Sequence, residues 1–189
     1  MQQCYLIFME TAMSVIVIDT ETTGLLEPEG TALEYQPYIV EICAIRINDS
    51  FQRTGEVISL VKPPIPISEK VSKIHGIYDK DVKDKPSFPE IYRDLVDLFL
   101  GCHTMVVHNA PFDCNMLAIE LYRMGKQFQF PWPPIHFCTV EQSMHLKGHR
   151  LKLQELYEMA TGKPEVEGAH RAENDVLALI DCYRWLKCS

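Results

Sequence analysis

The chain has 189 residues, 47% of them apolar and 23% charged, a balance that suits one globular domain with a full core and excludes a disordered polymer. A net charge of −8 excludes a broad electrostatic grip on nucleic acid, though not a local one. No apolar run reaches the length of a membrane span, and none of the seven cysteines (Cys4, Cys43, Cys102, Cys114, Cys138, Cys182, Cys188) stands in a CxxC pair, so reduced core thiols in a cytoplasmic protein are expected rather than disulfides or zinc.

Residues 1–12 carry a short apolar patch without a basic start, which reads as an N-terminal extension and not a signal peptide; residues 13–189 are expected to form a single domain. The run 15–18 (VIVI) is four branched apolar residues, the pattern of a strand buried on both faces. Asp19 and Glu21 follow it. Strand side chains alternate faces, so these two carboxylates point the same way. Such a pair is tolerated where a cation lies between the two or where one is protonated; the plainer reading is an acidic strand end running into solvent. Thr22, Thr23 and Gly24 then form a turn where backbone can approach a ligand closely.

Residues 25–37 read as a loop. Residues 38–47 (YIVEICAIRI) are strand-like, with Glu41 the one acid in an apolar run, either paired inside the fold or part of an active site. A third strand over 55–62 ends at Pro63-Pro64, and the polar stretch 48–54 suggests hairpin-like antiparallel pairing. A short helix over 67–73 and a turn over 74–77 present His75, which as a lone turn histidine reads as solvated. Helix 87–100 opens with a capping box, Ser87 and Glu90. A buried strand covers 104–108, Asn109 caps a helix from Pro111 to Met124, and Gly125 stops it. A short fifth strand at 135–138 and helices over 151–159 and 171–187 complete an α/β domain with one mixed five-stranded sheet flanked by helices. The one locally basic stretch, 145–152 (HLKGHRLK), reads either as a solvated loop or as a hold on an incoming strand.

Two more acids need explaining. Asp113 falls in the first turn of its helix, where it favours the helix dipole by about 0.3–1 kcal/mol. Asp175 is harder to dismiss. Ala172, Asp175, Leu179, Cys182 and Leu186 form one stripe at helical spacing, and Asp175 is its single charge, so it calls for a metal or an ion pair with Arg150 or Arg171. His170 lies five residues earlier, about 140° away on a helix, and belongs on the entry loop. Oxygen ligands of this kind suit magnesium or manganese. Two ions about 3.5–4 Å apart can bind one phosphate, and a nearby histidine suits the role of base for a water.

The motifs DTETTG (Asp19, Glu21), VVHNAPFD (Asp113) and HRAEND (His170, Asp175) resemble, in order and spacing, those of the DEDDh 3′–5′ exonucleases of the ribonuclease H-like fold, the group that includes proofreading epsilon subunits of bacterial replicases. The resemblance runs over residues 13–187 and covers 26–37 poorly. It implies that Asp19, Glu21, Asp113 and Asp175 hold two Mg²⁺ or Mn²⁺ ions and that His170 is the general base. It places Thr22, Gly24 and Leu25 against the terminal nucleotide, with His75, Asn109 and Phe112 nearby. It further implies 3′–5′ hydrolysis of single-stranded or frayed 3′ ends to nucleoside 5′-monophosphates, and a polymerase partner. DNA is favoured over RNA, and an exoribonuclease is the alternative. A sugar-kinase-like ATPase fits less well, since Glu21 replaces the glycine its phosphate turn needs. A non-catalytic module that binds nucleic-acid ends has no use for the base.

Overall fold

The computed structural model describes residues 14–188; the expected extension at 1–12 lies outside the described residues. Strand β1 (Ser14–Thr22) is the centre of a five-stranded sheet with the order β3-β2-β1-β4-β5. It pairs antiparallel with β2 (Ile39–Ile47), which pairs antiparallel with β3 (Arg53–Leu60). On its other side β1 runs parallel to β4 (Cys102–Val107), and β4 to β5 (Ile135–Cys138). The sheet is therefore mixed, with the antiparallel half coming first in the chain. Parallel strands need long crossovers, and these are helical here.

The period-two alternation of β1 decides which helix each residue meets. Ile16 and Ile18 join Ile42, Ala44, Met105 and Val107 against α3 (Phe88–Phe99) and α4 (Ala110–Arg123). Val15 and Val17 join Cys43, Ile45 and Val106 against α7 (Ala172–Cys188), which α6 (Leu153–Thr161) covers in turn. Both faces are buried, as the unbroken apolar run requires.

The remaining helices depart from expectation. Helix α1 (Glu69–His75) starts later than residue 67 because the Ser68 hydroxyl accepts from Val71 N–H while Ile67 N–H turns to Asp79 Oδ1. It also runs two residues further, to His75, and Gly76, with a φ of 74°, closes it in the left-handed region. A single turn, α2 (Asp79–Val82), and a nine-residue helix, α5 (Thr139–Lys147), were not anticipated. The α5 sequence TVEQSMHLK has too few apolar residues to show an amphipathic stripe. The capping box of α3 is formed, with Glu90 Oε2 accepting from both Ser87 N–H and its hydroxyl at 2.7 Å. The cap expected from the Asn109 side chain is not made. The six described cysteines are free thiols, and no helix among the described residues is long and apolar enough to cross a membrane.

Candidate active site

Continuing the alternation of β1 past Ile18 assigns the polar residues. Asp19 and Glu21 follow Val15 and Val17 to the α7 face, where Asp175 arrives in the first turn of α7. One carboxylate oxygen from each of these three acids lies within 4.8 Å of the others, and all three side chains are half-buried. Thr20 points the opposite way and meets α4. Its backbone N–H and its hydroxyl both donate to Asp113 Oδ1, at 3.0 and 2.7 Å. Asp113 is buried at 3% exposure and is not part of the three-acid group. Three of the four expected acids thus come together, and the fourth, Asp113, is held by Thr20 on the other face of the sheet.

The electrostatics are those of a site short of positive charge. Burial, then the charges of Asp113, Asp175 and Glu21, raises Asp19 well above the usual carboxylate range. Burial first, then Asp175 and Glu41, pushes Glu21 up to about 8. Burial pushes Asp113 up to about 7 despite the two bonds from Thr20 that pull it down. Asp175 is raised by burial, against the pull of His170 N–H on its Oδ2 at 3.0 Å. Clustered carboxylates hold their protons when nothing neutralises them, and an oxygen-only donor set of this size fits a hard divalent cation. The ion pairs weighed for Asp175 are not made: Arg171 goes to Glu41 and Arg150 to Asn109 Oδ1 at 2.6 Å.

His170 lies on the loop before α7, exposed, at a φ of 65°. It lines a cleft of about 650 Å³ together with Asp19, Glu21, Asn109, Arg150, Lys152 and Asp175. Asn109, itself at a φ of 68°, sits where β4 passes into α4, and its carboxamide holds the Arg150 guanidinium instead of capping the helix. The basic stretch therefore borders the acidic site: its first part closes α5 and its last part carries Arg150 and Lys152 into the cleft wall.

A second cleft, about 530 Å³, opens on the other side of Glu21 and is lined by Thr22, Gly24, Leu25, His75, Ile74 and Phe112 among others. Thr22 Oγ1 donates to Gly24 O at 2.6 Å and Thr23 Oγ1 accepts from Tyr38 N–H, so the turn is held both within itself and by the residue that leads into β2. A Cβ on Gly24 would meet no protein atom within 4 Å. Leu25 is 81% exposed and Ile74 58%. Sequence reasoning did not single out Ile74; its signal was an apolar residue one position before the turn histidine.

The expectation of a solvated His75 is wrong. Because α1 runs on to residue 75, the ring turns inward and is 3% exposed. Its Nδ1 accepts from Ile77 N–H at 3.0 Å, and the buried ring also faces the Thr22 backbone. Burial pushes its pKa down.

The family model described as Exonuclease matches residues 16–183. The chain belongs to this exonuclease family. It is 34% identical over 138 residues to the DNA polymerase III subunit epsilon of Buchnera aphidicola subsp. Schizaphis graminum, covering 73% of this chain and 57% of that protein. The Escherichia coli subunit epsilon is 29% identical over 172 residues, covering 85% and 68%. For most of the first relatives, the matched part is about half of their length or less. Among solved structures, Exonuclease X in complex with 5′ overhanging duplex DNA superposes with a TM-score of 0.61 at 26% identity, over 93% of this chain and 92% of that one. Escherichia coli Exonuclease I superposes at 0.70 with 19% identity over 93% and 41%, a likeness of fold. The exonuclease fold thus extends over nearly all of the described residues.

Proposed function

We propose that the chain is a metal-dependent 3′–5′ exonuclease that removes nucleoside 5′-monophosphates from DNA ends. The observation that carries this reading is the convergence of Asp19, Glu21 and Asp175 within 4.8 Å, in a cleft that His170 also lines. Magnesium or manganese, when bound, supplies Lewis-acid stabilisation of the charge that develops on the scissile phosphate. Asp19, Glu21 and Asp175 are the residues that would hold it. Asp113, next to Asp19 and fixed by Thr20, adds the negative charge a second ion would need.

The protein's own groups divide the remaining work. His170, exposed on the loop before α7, accepts the proton of the attacking water. Arg150 and Lys152 on the cleft wall attract phosphates of the strand, a local positive patch on a chain of net charge −8. Thr22, Gly24, Leu25, His75 and Phe112 line the space for the terminal nucleotide, and Asn109 orients Arg150. A site reaching only the last nucleotides favours single-stranded or frayed ends. Exonuclease X, captured with DNA, supports DNA as the substrate, and the relatives named as polymerase III subunits support work alongside a polymerase in the cytoplasm.

The test uses matched 5′-labelled single-stranded DNA and RNA oligonucleotides with magnesium, manganese or chelator. A ladder shortening from the 3′ end of DNA, abolished by chelator, is expected. Cleavage at internal positions, or none of either substrate, would overturn the reading. Faster loss of RNA would make the chain an exoribonuclease.

A further inference from the structure

We infer that Glu41 and Arg171 are a positioning pair that sets His170 in the cleft, an inference that rests on the exonuclease reading. Glu41 is the cross-strand partner of Glu21 and lies on the α7 face of the sheet, buried at 3% exposure. Its carboxylate makes four contacts, all to the start of α7. Arg171 donates through Nη2 to Oε1 at 2.6 Å and through Nε to both oxygens at 3.1 and 3.2 Å, and Ala172 N–H donates to Oε2 at 3.0 Å. Ala172 is the first residue of α7, so Glu41 satisfies a helix N–H that has no partner within the helix and places an anion at the positive end of the dipole.

This arrangement fixes the two residues that follow His170. Non-glycine residues rarely adopt the left-handed conformation, and His170 holds a φ of 65°. The conformation persists only where its surroundings impose it. Here they do so from both sides: His170 N–H is bound to Asp175 Oδ2, Asn174 Nδ2 to Gly168 O at 2.9 Å, and residues 171 and 172 to Glu41. The Arg171 guanidinium also offsets a carboxylate that would otherwise add its charge to Glu21 and Asp175. The pair is buried on the Glu41 side alone, and its half-exposed guanidinium belongs to the residue joined to the proposed base.

The test joins a kinetic cycle to an exchange measurement on the full chain. Arg171→Ala should lower kcat about 10²-fold, the scale of a misplacement of roughly 1 Å, with KM nearly unchanged. In a His170→Ala background the same substitution should cost nothing further, because its effect passes through His170. Without any metal, Arg171→Ala should speed amide deuterium uptake over residues 168–176 and leave β1 unchanged. Arg171→Lys should restore part of kcat. Should Arg171→Ala not fold, Glu41→Gln, which keeps an acceptor for Ala172 N–H, should show the same directions. Wild-type kcat and exchange in these variants, or losses that multiply in the double variant, would overturn the inference. A wild-type chain without nuclease activity would instead remove the exonuclease reading, leaving the exchange arm to decide the positioning.

Discussion

His170 and His108 line the same cleft, yet their surroundings give them different chemistry. His108 Nδ1 lies 2.9 Å from Thr139 Oγ1, and burial pushes its pKa down to about 4, so at neutral pH it is uncharged and weakly basic. His170 is exposed on a loop, its backbone N–H held by Asp175, and it lines the cleft that Asp19, Glu21 and Asp175 also line. His170→Ala should therefore lower kcat by about 10²–10⁴-fold, the usual contribution of a general base, while the shift in Tm on adding magnesium is retained. Near-normal turnover in steady-state assays would move the base to another group. His75, enclosed in the fold and bonded to Ile77, is placed to shape the second cleft rather than to exchange protons.

Among the elements, α4 does more than flank the sheet. Glu120 accepts from Ile39 N–H at 3.0 Å and pairs with Arg123 at 3.3 Å, and both side chains are largely buried. The Arg123 guanidinium lies 3.6 Å from the Tyr38 ring centroid and donates to the carbonyls of Leu33, Gln36 and Pro37. One side chain thereby anchors the segment 26–37, which runs on from the Thr22–Gly24 turn. Removing one partner of a buried pair leaves the other uncompensated, so Arg123→Ala should destabilise by about 3–5 kcal/mol in urea unfolding. A loss under about 1 kcal/mol, the range of surface pairs, would contradict that role.

On the proposed function, the segment between α5 and α6 holds the incoming strand through Arg150 and Lys152 on the cleft wall. Neutralising Arg150 and Lys152 together should raise KM and reduce the slope of log KM against log salt by about 1.4, taking roughly 0.7 per phosphate on a single strand. An unchanged slope would return the segment to a solvated connection.

For the whole molecule, the acidic site sets a conflict between stability and pH that a cation resolves. Glu21 and Asp113 keep their protons in the fold up to about 8 and about 7, against ordinary values of 4.5 and 3.8. The folded state binds more protons than the unfolded chain in that window, so the stabilisation present below the ordinary values is lost as pH rises through the folded ones. Between pH 7 and 8.5 the buried His75 and His108, both pushed below 6.5, oppose this only slightly, because the unfolded histidines are already mostly neutral there. In chelator, Tm should fall across this interval. Saturating magnesium should stabilise more at pH 8.5 than at 7, because it no longer competes with protons. Glu21→Gln should flatten the decline in chelator, and a Tm that rises in chelator from 7 to 8.5 would contradict the assignment of charge.

The local pattern of the chain was enough for β1, the hairpin of β2 and β3, the capping box of α3 and the placement of His170 before α7. Each depends on alternation or on contacts within a few residues. The alternation also fixed that Asp19 and Glu21 share a face. It did not say which helix that face would meet, and this is what separated Asp175, which joins them, from Asp113, which Thr20 holds on the opposite side. The inward turn of His75, the diversion of Asn109 to Arg150 and the pairing of Glu41 with Arg171 were likewise decided by tertiary structure. Their partners lie in other elements, up to 130 residues away in the case of Arg171 and Glu41. A buried polar group takes whichever partner the packed elements bring within reach, and no periodicity along the chain encodes that distance.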